Sequence, residues 1–216
     1  MEDTQYNNLE LIILGAGGLA REIASWHNIS IANKKSNIVG FMDENLDALK
    51  GFNRDQEVIG KIDLKKIKQN QSVICGISDV KIKEKLFDDL RQHNVSIFSY
   101  IHESCFVGER TKFGIGLVLF PYAIISCDSK IGNLVFINNG SQIGHDVSIG
   151  DFSSIMANVD IGGGAQIGKN VFIGSNAVIL PEVKIPDNTR IGAGAVVLKS
   201  IKNEGTYFGN PAKKIF

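Results

Sequence analysis

From Ile101 to Val197 a large apolar residue returns at every sixth position. The series runs through Val107, Phe113, Leu119, Ile125, Ile131 and Ile137 to Ile191 and Val197, seventeen positions with no insertion. Apolar residues recur near every 3.6 positions in an amphipathic helix and every second position in a strand. A strict six fits neither. It predicts a parallel β-helix of hexapeptides, in which three short strands close one triangular coil of about eighteen residues. These ninety-seven residues then make between five and six coils. Each repeated residue points inward and stacks on the residue eighteen positions away, and burying it contributes about 1.5–3 kcal/mol. The next position is Gly in nine of the seventeen cases, which predicts a corner that needs unusual backbone angles. Four residues on, a second inward position is small or β-branched in fifteen of sixteen cases, with Leu117 the exception. Pro121, Pro181 and Pro186 also fall at corners, where a missing N–H costs least.

The first ninety-eight residues follow a different pattern. Residues 1–8 are polar and expected to fray. Leu9–Leu14 is an apolar run ending at Gly15-Ala16-Gly17-Gly18, which reads as a buried strand entering a tight turn. Leu19 to Ile29 has helical spacing, Ile38–Met42 reads as a second strand, and residues 46–60 read as loop. A short helix is expected over Leu64–Lys68 and a third strand over Val73–Ile77. From Asp79 to His93 an amphipathic helix is expected, with Val80, Ile82, Leu86, Phe87 and Leu90 near one face and the lysines opposite. Val95–Phe98 is a fourth strand. Strands and helices alternating at this spacing predict a small parallel sheet with βαβ crossovers. The expected division is 1–98 and 99–216, the latter ending in an irregular tail over residues 201–216.

Charge excludes some partners. Residues 1–98 carry 13 basic and 14 acidic side chains, and residues 99–216 carry 10 and 9. Neither part is a basic patch, which argues against nucleic acid or an anionic membrane. Cys75, Cys105 and Cys127 are odd in number and lack CxxC spacing, which reads as reduced thiols of a cytoplasmic protein. The start Met-Glu-Asp lacks a basic n-region, and no apolar run is long enough for a signal peptide or membrane span.

Two stretches carry candidate chemistry. The turn Gly15-Ala16-Gly17-Gly18 follows a strand and opens a helix, where backbone N–H groups can bind phosphate. Asp43 follows the next strand, where a ribose or base contact would lie. The sheet is short for NAD(P) chemistry and no hydride-transfer domain follows, so a nucleotide in another form fits better. The second stretch is Ile143-Gly144-His145-Asp146. His145 stands at a corner two residues after an inward Ile, so its ring faces outward. General bases are most often His, and the adjacent Asp146 would raise its basicity and fix its tautomer. Adding eighteen gives Gly163, one coil on, within Gly162-Gly163-Gly164. His102 lies in the first coil, and His27 and His93 lie on expected helices. No spacing of His, Cys or carboxylates suggests a metal. No cysteine sits in a nucleophile context, which favours direct transfer over an acyl-enzyme.

The pattern [LIV]-G-x-x-[AVST]-x, as in Ile167-Gly168-Lys169-Asn170-Val171-Phe172, resembles the hexapeptide-repeat acyltransferases. Joined to a GAxG turn near the start, it resembles the bacterial nucleotide-sugar acyltransferases. These are the 4-amino-sugar N-acetyltransferases and the sialic acid O-acetyltransferase group. The resemblance implies a left-handed β-helix, against the usual crossover hand, and homotrimers that use acetyl-CoA at clefts between subunits. By residue matching it implies that Gly15, Ala16, Gly17 and Gly18 approach the phosphates of a nucleotide-linked sugar. Asp43 and Glu44 would sit near its base or ribose, with Gly76 and Ser78 after the third strand. Many relatives have His where this chain has Leu19. His145 takes the place of the catalytic base, Asp146 follows it, and Asn138 matches an Asn that positions the acceptor amine. The N–H at Gly163 would meet the thioester carbonyl, and Ser154, Ser175 and Ala193 would contact the coenzyme. Gly209-Asn210-Pro211-Ala212-Lys213 resembles the G-x-P-A-K ending of these enzymes.

The leading expectation is therefore acetyl transfer from acetyl-CoA to the amino group of a nucleotide-linked 4-amino-deoxysugar in surface glycan biosynthesis. O-acetylation of a sugar hydroxyl by the same base is the first alternative. A non-catalytic, carbohydrate-binding solenoid is the second, and it predicts neither a His at a cleft nor a nucleotide turn.

Overall fold

A computed structural model describes residues 9–29 and 36–216; the fraying expected of residues 1–8 lies outside them. The N-terminal part is a five-stranded parallel sheet. Its elements are β1 (Leu9–Leu14), α1 (Gly18–Ile29), β2 (Ser36–Met42), β3 (Val58–Gly60), a 3₁₀ turn at Leu64–Lys66, β4 (Gln71–Cys75), α2 (Val80–Gln92) and β5 (Ser96–Ile97). The strand order is β3-β2-β1-β4-β5. The chain therefore winds outward in both directions from β1, and the switch point lies between β1 and β4, where such sheets bind ligands. Leu11 to Leu14 are fully buried at the centre. Asp79 caps α2 by accepting from the N–H groups of Lys81 and Ile82. Residues 58–60, expected as loop, form the edge strand β3. Three residues are too few to show an alternation.

The C-terminal part is a left-handed parallel β-helix. Seventeen two-residue strands run from Tyr100–Ile101 to Val196–Val197. They stack in three sheets with a register of eighteen: Ile125 pairs with Ile143, Ile143 with Ile161, and Ile161 with Ile179. The first face holds the strands ending at Leu119, Ile137, Ile155, Ile173 and Ile191, the second those ending at Ile125, Ile143, Ile161 and Ile179, and the third those ending at Ile131, Ile149, Ile167 and Ile185. The inward residues from Ile125 onward are buried. Ile101, Val107 and Phe113 are 36%, 39% and 45% exposed, because no coil lies beneath the first. The buried serines at the second inward position tie one coil to the next. Ser153 Oγ donates to the Gly168 carbonyl and accepts from Val171 N, so no hydroxyl is stranded.

The corner glycines have a different cause from the one expected. None of the nine after the repeated apolar residue has a positive φ; the left-handed residue comes two positions later. Every sixth residue from Arg110 to Gly194 takes that conformation, and many are Asn, Asp or Gly, the residues that tolerate it best. The glycine itself is required by close approach. A Cβ on Gly150 would lie 2.5 Å from the backbone nitrogen of Lys169, and one on Gly174 2.5 Å from that of Ala193.

The tail is also more regular than expected. Thr206–Phe208 extends the first face beside Arg190–Ile191 and pairs antiparallel with Lys213–Lys214, so a hairpin covers the last coil. The two parts share their cores. Tyr100, Val118, Phe120 and Phe136 of the β-helix pack with Leu11, Ile13, Ala20 and Ile23, and Trp26 of α1 meets Phe120 edge-on at 4.3 Å.

If coil spacing dictates the corner glycines, Gly150→Ala should cost about 1–3 kcal/mol as an overpacking change. That lowers the thermal midpoint by about 2–4 °C per kcal/mol. Gly18→Ala, with open space at its Cβ, is the control, and equal midpoints for the two variants would refute the spacing explanation.

Candidate active site

His145 lies on the corner between the second and third faces, following Ile143, and its side chain is 66% exposed. Its Nδ1 is 2.8 Å from Asp146 Oδ2. In the tautomer with the proton on Nδ1, that N–H donates to the carboxylate, and Nε2 keeps a free lone pair. The ring lies over the backbone of Gly163, one coil on. A Cβ at 163 would come within 2.7 Å of Nε2 and 2.8 Å of Cε1. The coil-to-coil bonds at this level run through the neighbours of Gly163: Gly164 N donates to the His145 carbonyl and Gly162 N to that of Ile179. One coil below, Arg110 Nε and Nη2 donate to Asp128 at 2.5 and 2.8 Å. Those bonds hold the Asp128 carboxyl below the usual carboxylate range. Arg110 is thereby committed to Asp128, and Asp146 remains the partner of His145.

Asn138 lies on another corner, between the first and second faces. Its Oδ1 accepts from the N–H of Asn139 at 2.7 Å. Ser175 and Ala193 stack on that same corner, where Gly194 N donates to the Ser175 carbonyl. The width of the second face, roughly 15 Å for about five extended residues, separates this group from His145 and Gly163. A single chain does not bring the two groups together.

At the N-terminal turn, Gly15 adopts φ +92° and its N–H donates to the Met42 carbonyl at 2.8 Å. Ala16 is buried, and its N–H donates to Asp43 Oδ2 at 2.7 Å. The other oxygen of Asp43 accepts from Asn45 N at 2.8 Å. Asp43 is therefore a strut joining this turn to the loop after β2, and the Ala16 N–H is engaged. Gly17 and Gly18 are exposed, with no atom within 4 Å of an added Cβ, so they form the open part of the turn at the start of α1. Glu44 is exposed, 3.8 Å from Lys61. Gly76 is a packing residue, since a Cβ there would lie 2.7 Å from Ala20 Cβ. Among the described residues, no group of three His, Cys, Asp or Glu side chains could hold a metal, and no helix is long and apolar enough to cross a membrane.

With this geometry the family can be assigned. Residues 10–90 match the PglD N-terminal domain, and residues 146–181 and 164–199 match the bacterial transferase hexapeptide (six repeats). The chain belongs to the hexapeptide-repeat acyltransferases. The acyltransferase is similar in structure to the acetyltransferase domain of PglB from Neisseria gonorrhoeae FA1090: identity is 22%, and the TM-score is 0.88 over 96% of this chain and 100% of that one. PerB from Caulobacter crescentus, solved with CoA and GDP-perosamine, is 26% identical, with a TM-score of 0.75 over 94% and 96%. WeeI from Acinetobacter baumannii AYE is 24% identical, with a TM-score of 0.67 over 94% and 98%.

Two placements correct the reading of the sequence. Ser154, expected at the coenzyme, is fully buried on the first face. Its hydroxyl donates to the Ser78 carbonyl at 2.8 Å and accepts from Lys83 Nζ at 2.7 Å, so its one donor is spent inside the chain and its burial keeps it from a coenzyme. Lys83, expected in solvent with the other α2 lysines, is 1% exposed, whereas Ile82 beside it is 53% exposed. Leu19 packs against the core shared by the sheet and the β-helix.

Gly163→Ala in the acyltransferase should displace the imidazole of His145 while leaving the fold intact, because an exposed ring can move. Its ring resonances should shift in NMR with the thermal midpoint nearly unchanged. Unperturbed resonances would show that the ring does not rest on Gly163 in solution.

Proposed function

We propose that the protein transfers acetyl from acetyl-CoA to the amino group of a nucleotide-linked 4-amino-deoxysugar, in surface glycan biosynthesis. The observation that carries this reading is the His145 ring, held by Asp146 and resting on Gly163. The substrate class is supported by PerB, which holds both CoA and GDP-perosamine and aligns over 94% of this chain. Residues 1–98 would hold the nucleotide sugar, its phosphates at Gly17, Gly18 and the first N–H groups of α1. Residues 99–216 would hold the acetyl donor. Three unpaired cysteines fit a reducing compartment, and we place the enzyme in the cytoplasm.

The transfer is direct. The amine nitrogen attacks the thioester carbonyl, the C–N bond forms, and Nε2 of His145 takes the proton the nitrogen loses. The tetrahedral intermediate collapses, the C–S bond breaks, and the proton passes to the departing sulfur as coenzyme A leaves. Asp146 keeps the imidazole in the accepting tautomer and stabilises the imidazolium. The Gly163 N–H faces the oxyanion, a contribution that can reach about 2.7–4 kcal/mol.

The single chain leaves Asn138, Ser175 and Ala193 one face away from His145. A neighbouring copy that brings its Asn138 corner to the His145 corner would complete the cleft, and three such contacts close a cyclic trimer. Light scattering should give the mass of a trimer at micromolar concentration; a monomer would remove the shared cleft.

Acetyl-CoA should be incubated with UDP-, dTDP- and GDP-linked amino sugars and the products read by mass spectrometry. An acetyl group on nitrogen supports the reading, and one on oxygen replaces it with the hydroxyl alternative. His145→Ala should slow turnover about 10²–10⁴-fold with the KM for acetyl-CoA little changed. His145→Asn, which keeps hydrogen bonding but loses basicity, should be nearly as slow. If His145→Ala keeps half the wild-type kcat, His145 is not the base.

A further inference from the structure

Helix α2 lies along the corner between the third and first faces and touches successive coils. Glu84 accepts from Asn170 Nδ2 at 2.7 Å and lies 3.4 Å from Lys169 Nζ, and Phe87 meets Phe152 at 5.5 Å between centroids. These contacts already join the helix to the β-helix. Lys83 adds something different. Its Nζ donates to the carbonyls of Leu134 and Ser153 at 2.9 and 3.0 Å and to Ser154 Oγ at 2.7 Å. An ammonium has three N–H donors, and all three are used in a site that is 1% exposed.

Taking an ammonium out of water costs several kcal/mol, and a well-packed apolar side chain would avoid that cost. Burial pushes the Lys83 pKa down to about 7, against the opposing pull of Cys75 and Asp79. Packing alone therefore does not account for a lysine here. Directed hydrogen bonds do, because the bonding continues beyond Lys83. Ser154 Oγ passes it on to the carbonyl of Ser78 at 2.8 Å. Ser78 ends the Gly76-Ile77-Ser78 segment that follows β4 at the switch point of the sheet. Gly76 N donates to the Leu14 carbonyl there, and a Cβ on Gly15 would press on the Gly76 carbonyl at 3.1 Å. One bonded line thus runs from two coil carbonyls, through Lys83 and Ser154, to the edge of the glycine turn.

We infer that Lys83 is a positioning residue for the transfer: through Ser154 it sets the Gly76–Ser78 segment, and the nucleotide-linked sugar held beside it, relative to the β-helix that carries His145. This rests on the nucleotide-sugar reading above. The segment grows out of the sheet, whereas His145 is borne by the coils, so the sugar amine meets the base only if the two parts keep one relative placement. A shift of about 1 Å can cost a hundredfold in rate.

The test uses Ser154→Ala, which breaks the line but leaves Lys83 its two carbonyls, and Lys83→Met, which keeps the length and removes the charge. Nucleotide-sugar and coenzyme A binding are measured by calorimetry, kinetics with the accepted amino sugar, and backbone amide exchange at Gly76–Asp79. Ser154→Ala should speed exchange at these amides. It should lower kcat/KM for the nucleotide sugar about tenfold, since both bonds that Ser154 makes in the line are lost, and leave coenzyme A binding unchanged. Lys83→Met should do the same more strongly; if it does not fold, Ser154→Ala carries the test alone. Faster exchange with unchanged kcat/KM for the sugar would make the line merely structural and overturn the inference. Wild-type protein that binds no nucleotide sugar would instead overturn the functional reading, and this inference with it.

Discussion

The two-residue strands of the β-helix find their backbone hydrogen-bond partners in the coils above and below. The strand-end N–H groups donate toward the next coil, as where Gly144 N reaches the Ile161 carbonyl and Gly162 N that of Ile179, while the left-handed corner residues donate back, as Gly164 N does to the His145 carbonyl. Each residue thereby stands over the residue eighteen positions earlier, and any insertion would shift every bond beyond it. The same stacking brings corner backbones so close that a Cβ on Gly144 would lie 2.6 Å from the nitrogen of Gly163. Chemistry at such a corner depends on which residue stands on which. His145 can lie flat because Gly163 above it lacks a side chain, and Asp146 can turn back to its Nδ1 because its position in the repeat is left-handed, φ 58°.

The repeat was legible because it is uninterrupted and its period excludes helix and sheet together. The role of the corner glycines was not legible, since one letter serves two needs. Glycine admits a positive φ and also a close backbone, and only the coordinates separate the position that needs the second from the one, two residues later, that needs the first. Stacking arithmetic did place Gly163 against His145, since it needs only the period. It could not place Ser154, because what covers the outward residue of a strand belongs to another part of the chain. Lys83 was missed for a related reason. Its partners are two backbone carbonyls and one serine about fifty to seventy residues away, and carbonyls leave no trace in a pattern of side chains. Asp43 was read as a ligand contact from its place after β2, yet both its oxygens accept from the chain itself. A carboxylate beside a glycine turn can brace the turn as readily as it can bind a ribose.

The outward residue just before each repeated apolar one reports what lies against each face. On the third face these are Lys112, Lys130, Ser148, Gln166 and Lys184, a row suited to water. On the first face they begin Tyr100, Val118 and Phe136, and the sheet and α1 bury all three. Further along that face come Ser154, under Lys83, and Phe172, against which Arg190 packs at 4.1 Å. The row therefore changes from apolar to polar where the sheet gives way to the polar seam along α2.

The second face carries Phe106, Ile124, Gln142, Asp160, Val178 and Val196. It is apolar at both ends like a covered face, yet Phe106 is 69% exposed and Ile124 40% exposed in the single chain. Exposed apolar surface of this kind is usual where another protein surface packs. The corners that bound this face are the one bearing Asn138, Ser175 and Ala193 and the one bearing His145 and Gly163. A partner copy packed along it would therefore cover the apolar ends and approach both half-sites in the same contact. The polar middle fits that arrangement: Gln142 and Asp160 are the outward residues at the level of His145 and Gly163, where the proposed cleft would stay open to water. One face would then serve both the proposed assembly and the proposed cleft, with apolar residues at its ends and polar residues at the level of His145.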